Sequence, residues 1–251
     1  MTLLDGLVAH WKLDEESGDR LDSSGNGHTL TPDGDVTTGA GKLGLAVAQG
    51  SFTVPNTFDV PDGFTVGVWV KDAGISDYPG STVAVYISGE GGDDVCSLSF
   101  GHSLRAHFDI AGADLSYPEV VSEALTADEW HLLVAWWEPG AGLYLQTDNA
   151  EPMLTAFTGE NVTNDQEIPA GVIVDGTGQA VDSVSFWSRV LTSDERTRLW
   201  NNGDGLDYPF TLPVPKGGAG SSMLMTPARL PRMTGNRWTA RHVGPRTRNS
   251  F

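Results

Sequence analysis

The stretch "LDSSGNGHTL" (residues 21–30) places an Asp, two Ser and an Asn within five residues, with glycines that let backbone carbonyls turn inward. Such a set could hold a hard cation, since calcium takes six to eight oxygens. It could equally close an Asx-turn on its own backbone. Asp33 is twelfth counting from Asp22, as in a helix–loop–helix calcium loop, but the flanking segments alternate like strands, which argues against that loop. Retaining cleavage of a glycosidic bond needs two carboxyls about 5 Å apart. The acidic clusters "LDEE" (13–16) and "GGDDV" (91–95) are turn-like and show no such pairing. There is no Gly-x-Ser-x-Gly elbow, His-Glu-x-x-His pair or phosphate loop, and the six His are scattered, His107 and His131 within strand-like segments. The chain therefore reads as a non-enzyme. For sugar stacking it offers Trp130, Trp136 and Trp137 in "WHLLVAWWE", although a strand Trp is more often core. The long loops carrying Tyr78 and Tyr117 are better candidates for a ligand rim.

The elements that would position these groups are strands. Period-two alternation marks "LVAHWKL", "FTVGVWV", "TVAVYIS", "VCSLSF", "LRAHFDI", "WHLLVAWW", "GLYLQT" and "VDSVSFWS", separated by Gly/Pro/Asp-rich turns. In "FTVGVWV", Phe64, Val66, Val68 and Val70 face one way and Trp69 the other, as in a sandwich strand apolar on both faces. One helix is expected in "LTSDERTRLWNNG": Thr192 and Glu195 form a capping box, Gly203 suits the left-handed end, and Leu199 and Trp200 pin it to the sandwich. Cys96, the only cysteine, sits in an apolar segment as a buried thiol, so no intramolecular disulfide forms. No apolar run approaches the roughly 18 residues of a membrane span.

"GLVAHWKLDEESGDRLDSSGNGHTLT", "FTVGVWVK", "ADEWHLLVAWWEPGAGLYLQTDN" and "VDSVSFWSRVLTSDERTRLWNNGDG" occur in the order of a laminin-G-like domain of the concanavalin A-like lectin/glucanase superfamily, which residues 6–208 resemble. The resemblance implies an all-β, antiparallel two-sheet jelly-roll sandwich with first and last strands adjacent. It also implies glycan or protein binding, and a structural calcium ion held by Asp22, Asn26, the His28 carbonyl and Asp182, which opens the last strand. The glucanase carboxylate pattern, Glu-x-Asp-x-(x)-Glu, is missing.

Charge divides the chain. Seven of its 15 basic residues lie from Thr211 onward, where there is no Asp or Glu, leaving eight against 33 acidic residues in 1–210, a balance of −25. Residues 1–210 are therefore the sandwich; 211–251 are a Pro/Gly-rich linker and basic arm that cannot bury a core of its own. In the arm, Arg229, Arg232, Arg237, Arg241, Arg246 and Arg248 offer forked donors, and Trp238 and Phe251 apolar anchors. The arm suits docking onto neighbouring protein subunits; nucleic acid is a poor partner for so sparse an arm beside so acidic a body. The N-terminus lacks an export-signal pattern. A module of a kind that works outside cells, yet made in a reducing cytoplasm, fits a virion surface: a decoration protein of a phage-like particle, held by the arm to capsid or tail proteins. The alternative is a carbohydrate-binding or adhesion module on a bacterial cell surface.

Overall fold

Each of the eight alternating stretches contains a strand. In the computed structural model the described residues are 1–54, 63–74, 82–88, 94–100, 102–111, 116–159, 170–175 and 178–211. They form β1 (Leu7–Trp11), β2 (Thr31–Pro32), β3 (Thr37–Ala40), β4 (Leu45–Thr53), β5 (Phe64–Asp72), β6 (Thr82–Ser88), β7 (Asp94–Phe100), β8 (Ala106–Ile110), β9 (Glu119–Val121), β10 (Trp130–Glu138), β11 (Gly142–Thr147), β12 (Met153–Ala156), β13 (Ala170–Asp175), β14 (Gln179–Trp187) and α1 (Ser193–Trp200). The chain divides into units Met1–Leu212 and Pro213–Phe251. The arm residues named above, and Tyr78, lie outside the described residues.

The fold is all-β, an antiparallel sandwich of two sheets joined by one strand. The first sheet runs β12-β11-β10-β5-β14 and continues into β4, which also pairs with β3. The second runs β4-β13-β6-β7-β8-β9, with β2 on the far half of β4. The first half of β4 pairs with β14 at Val47–Val181 and the second half with β13 at Phe52–Val172, so one strand serves both layers. β1 pairs with β14, bringing the first and last strands together (Trp11 opposite Val184). A bulge between Asp182 and Ser185 lies where the outer neighbour of β14 changes from β4 to β1.

Between the sheets, Phe64, Val66, Val68 and Val70 of β5 meet Phe52, Leu98, Phe100, Phe108 and Val172 in one buried core, which includes Cys96. The other face of the first sheet carries a second apolar layer. Trp69, Leu132, Val134, Trp136 and Trp187 are covered there by Leu3, Leu191, Leu199, Leu206 and Phe210. Helix α1 holds this cover. Its capping box forms as expected, with Thr192 Oγ1 accepting from the Glu195 N–H and the Glu195 carboxylate accepting from the Thr192 N–H. Asn201, rather than Gly203, takes the left-handed C-cap (φ 48°), and Gly203 (φ 90°) follows in a short 3-10 turn. Trp200 stacks on Trp69 with centroids 5.5 Å apart.

Candidate functional site

The Asp22 loop is satisfied by its own chain. One carboxylate oxygen of Asp22 accepts from the N–H groups of His10 (3.1 Å) and Ser24 (2.9 Å), the other from that of His28 (3.0 Å). Burial alone would raise the pKa of Asp22; the Ser24 side chain and these three N–H groups outweigh it and hold the carboxyl below its usual range. Asn26 turns its amide nitrogen inward to donate to the Leu7 and Val8 carbonyls (3.1 and 2.9 Å). The His28 carbonyl accepts the Trp11 indole N–H at 2.6 Å. Asp22, Asn26 and His28 thus come together, but as a clamp that fastens the loop to β1.

Asp182 is held elsewhere. One of its oxygens accepts from the Leu43 N–H at 2.7 Å, at the tight Gly41–Gly44 turn; the other is buried with no hydrogen-bond partner. Burial is the largest influence on this carboxyl and raises its pKa; N–H donation from Leu43 and Lys42 opposes it, the charge of Asp14 adds to it, and the result is about 7. The four residues do not fit a calcium ion. The Asp22 oxygens are engaged by backbone donors, Asn26 uses its amide as a donor, and Asp182 faces a different turn. Among the described residues no group of three or more His, Cys, Asp or Glu side chains is arranged to hold a metal. The "LDEE" cluster likewise serves the backbone: Asp14 accepts from the Leu45 N–H (2.8 Å) and Glu15 from the Leu21 N–H (2.9 Å).

Of the tryptophans of β10, Trp136 and Trp137 are buried and Trp130 is partly buried against the second apolar layer. Trp137 faces the inter-sheet core, and Trp136 lies in the second layer, stacked on Tyr144 (4.8 Å) beneath the Arg196 guanidinium (4.1 Å). His131 has ordinary strand partners, the Asp148 carboxylate and the Thr126 carbonyl, each at 3.0 Å.

The outward face of the second sheet is different. Val85, Ile87, Cys96, Leu98, Phe108, Ile110, Val120 and Val172 point into the core, so their alternates point out. Directly opposed residues share a face, and the register puts Gly171, Tyr86, Ser97, Asp109 and Glu119 in one row across five strands. The five-strand row is about 19 Å long at about 4.8 Å per strand. Ser99 and His107 flank it, and His107 Nδ1 shares a hydrogen bond with Glu119 Oε1 at 2.7 Å. Tyr86 lies sideways over Gly171: a Cβ at position 171 would collide with the phenol end of its ring, and Gly171 is buried although it is on the outward face. Tyr117, 56% exposed, stands just before β9. Sequence reasoning marked Tyr117 but missed the row, since no local signal announces which residues of five separated strands come into register. The one hint was the alternation of Ser and Tyr with apolar residues in "TVAVYIS" and "VCSLSF".

No family model matches the chain, and no curated protein does. Solved structures do. The binding domain of Paraclostridial Mosquitocidal Protein 1 superposes with a TM-score of 0.62 at 14% identity, over 80% of this chain and 53% of its own. The receptor-binding domain of botulinum neurotoxin C/D mosaic serotype gives 0.60 at 10% identity, over 80% and 52%. A structure of botulinum neurotoxin type C, whose cell entry is dependent upon interaction with two ganglioside molecules, gives 0.58 at 11% identity, over 80% and 52%. The likeness is one of fold. The chain spans about half the length of each of these structures, and the first two are binding domains.

Proposed function

We propose that this chain is a non-catalytic, laminin-G-like binding module whose ligand is a surface glycan, displayed on a phage-like particle by its basic C-terminal arm. The observation that carries the binding reading is the contrast between the sandwich's outer faces. The outer face of the first sheet is sealed by an apolar layer, whereas that of the second presents hydroxyl, imidazole and carboxylate groups beside a partly exposed aromatic ring. Polar side chains across a sheet face recognise a hydroxylated ligand without any metal or nucleophile. The similar toxin domains support a recognising use of this architecture, since one of them interacts with gangliosides and another has been captured with rat synaptotagmin II.

Display on a particle is supported by the chain's two opposed charge regions and by its lone cysteine, which lets the body fold in a reducing cytoplasm without a disulfide. The arm has the arginines and apolar anchors to grip acidic surfaces of capsid or tail subunits. Two measurements test the proposal. Retention on immobilised glycans without release of reducing sugar is expected, and cleavage that one acidic substitution abolishes would overturn the non-enzyme reading. Purified particles should carry the chain at fixed stoichiometry; recovery with bacterial envelopes instead would favour an adhesion module on a cell surface.

A further inference from the structure

We infer that the cleft where β4 changes sheets is the glycan site, and that it takes one terminal sugar unit without an acidic group; this rests on the glycan reading above. The cleft measures about 310 Å³, and its walls include Asp33, Asp35, Gln49, Ser51 and Ile173. Small-molecule sites run from roughly 300 to 1,000 Å³, so the size suits a single ring entering end-on. The register of β4 makes the cleft. Gln49 faces Thr37 of β3, and Ser51 faces Ile173 of β13. Gly50 between them has φ 144°, with Val36 packed where a side chain would stand. Phe52 and Val172 face the core, so Ser51 and Ile173 belong to the outward face of the second sheet. Asp33 is fixed within its own chain. Its N–H donates to the Ser51 carbonyl at 2.9 Å, and its carboxylate accepts from the Ser51 and Thr53 hydroxyls at 3.2 Å each. The exposed Asp35 carboxylate and Gln49 amide have no partner among the described residues. A carboxylate accepts from adjacent hydroxyls and a side-chain amide both donates and accepts, so this pair can meet the hydroxyls of a sugar ring. Ile173 adds an apolar wall for the ring's C–H groups. Two carboxylates and no Lys or Arg line the cleft, so an acidic sugar meets repulsion there. With the body at −25, it also meets repulsion at long range.

The test uses the full chain on a support carrying neutral oligosaccharides that end in galactose, glucose, mannose or N-acetylglucosamine, beside sialylated and uronic acid counterparts. Wild type is expected to be retained by a neutral set and to pass the acidic ones. The matching free monosaccharide should displace it, because one ring fills the cleft. Asp35→Ala and Gln49→Ala should each weaken binding about tenfold, the loss of one hydrogen-bonding group. Both side chains are exposed and hold nothing else in place, so the melting temperature should not move. A wild type that no set retains overturns both the site and the glycan ligand. Binding that persists undiminished in both variants overturns the site alone and leaves the glycan reading standing. Preference for the acidic sets overturns the ligand class, and retention that free monosaccharide cannot displace overturns the single-ring mode.

Discussion

At the scale of single residues, the carboxylates of Asp22 and Glu195 are held by hydrogen bonds from within the chain. Asp22 satisfies three backbone N–H groups from β1 and its own loop, so Asp22→Ala leaves them orphaned. The expected cost is about 2–3 kcal/mol, read as a lower midpoint in urea. A chelator should leave the wild-type melting curve unmoved; a drop that calcium restores would reinstate the metal. Glu195 gives a pH prediction. Burial raises its pKa, but the hydrogen bonds from Arg189 (2.7 and 2.8 Å) and from Thr192 prevail and lower it from 4.5 to about 2. A carboxyl whose folded pKa is depressed contributes stability above its unfolded value and loses it as pH falls through the folded one. Stability should therefore decline from pH 4.5 towards pH 2. Glu195→Gln should flatten that part of the profile in thermal melts, at the expense of lower stability at neutral pH.

At the scale of elements, the outer layer on the first sheet depends on a short helix and the segment that follows it. Thr192→Ala removes the N-cap and should cost about 1 kcal/mol. The residues after α1 matter more. Leu206 (3% exposed) and Phe210 (4%) are core residues of this layer, and Tyr208 stacks on buried His10 at 5.1 Å. A chain ending at Asp204 loses Leu206 and Phe210 together and should be less stable by about 3–6 kcal/mol. One ending at Leu212 should melt like the full chain, and calorimetry of the pair locates the end of the folded body.

At the scale of the whole molecule, we propose that the acidic body binds and the basic arm attaches. Removing residues 213–251 should leave glycan binding intact and abolish incorporation into particles, as co-sedimentation would show. A truncated chain that assembles as well as the full one ends the anchoring proposal. Purely ionic attachment is screened at high salt, whereas apolar contacts of the kind proposed for Trp238 and Phe251 are not. Attachment should therefore weaken yet persist in about molar salt.

The eight strands with clean alternation were legible because a half-buried strand writes its two faces into the sequence at period two. The capped helix and the burial of Cys96 were legible for similarly local reasons. β4, which joins the two sheets, was not: "LAVAQGSFT" has small residues and Gly50 in place of alternation, since it turns different faces to the core along its length. Only tertiary structure separated Asp182 from the Asp22 loop, because the bulge in β14 and the Gly41–Gly44 turn give its carboxylate a different partner. The same holds for Tyr86, Ser97, Asp109 and Glu119. Composition and alternation determined that this chain is a two-faced sandwich with an acidic body and a basic arm. Which outward residues share one surface was decided by strand order and register, which arise from pairings far apart in the chain.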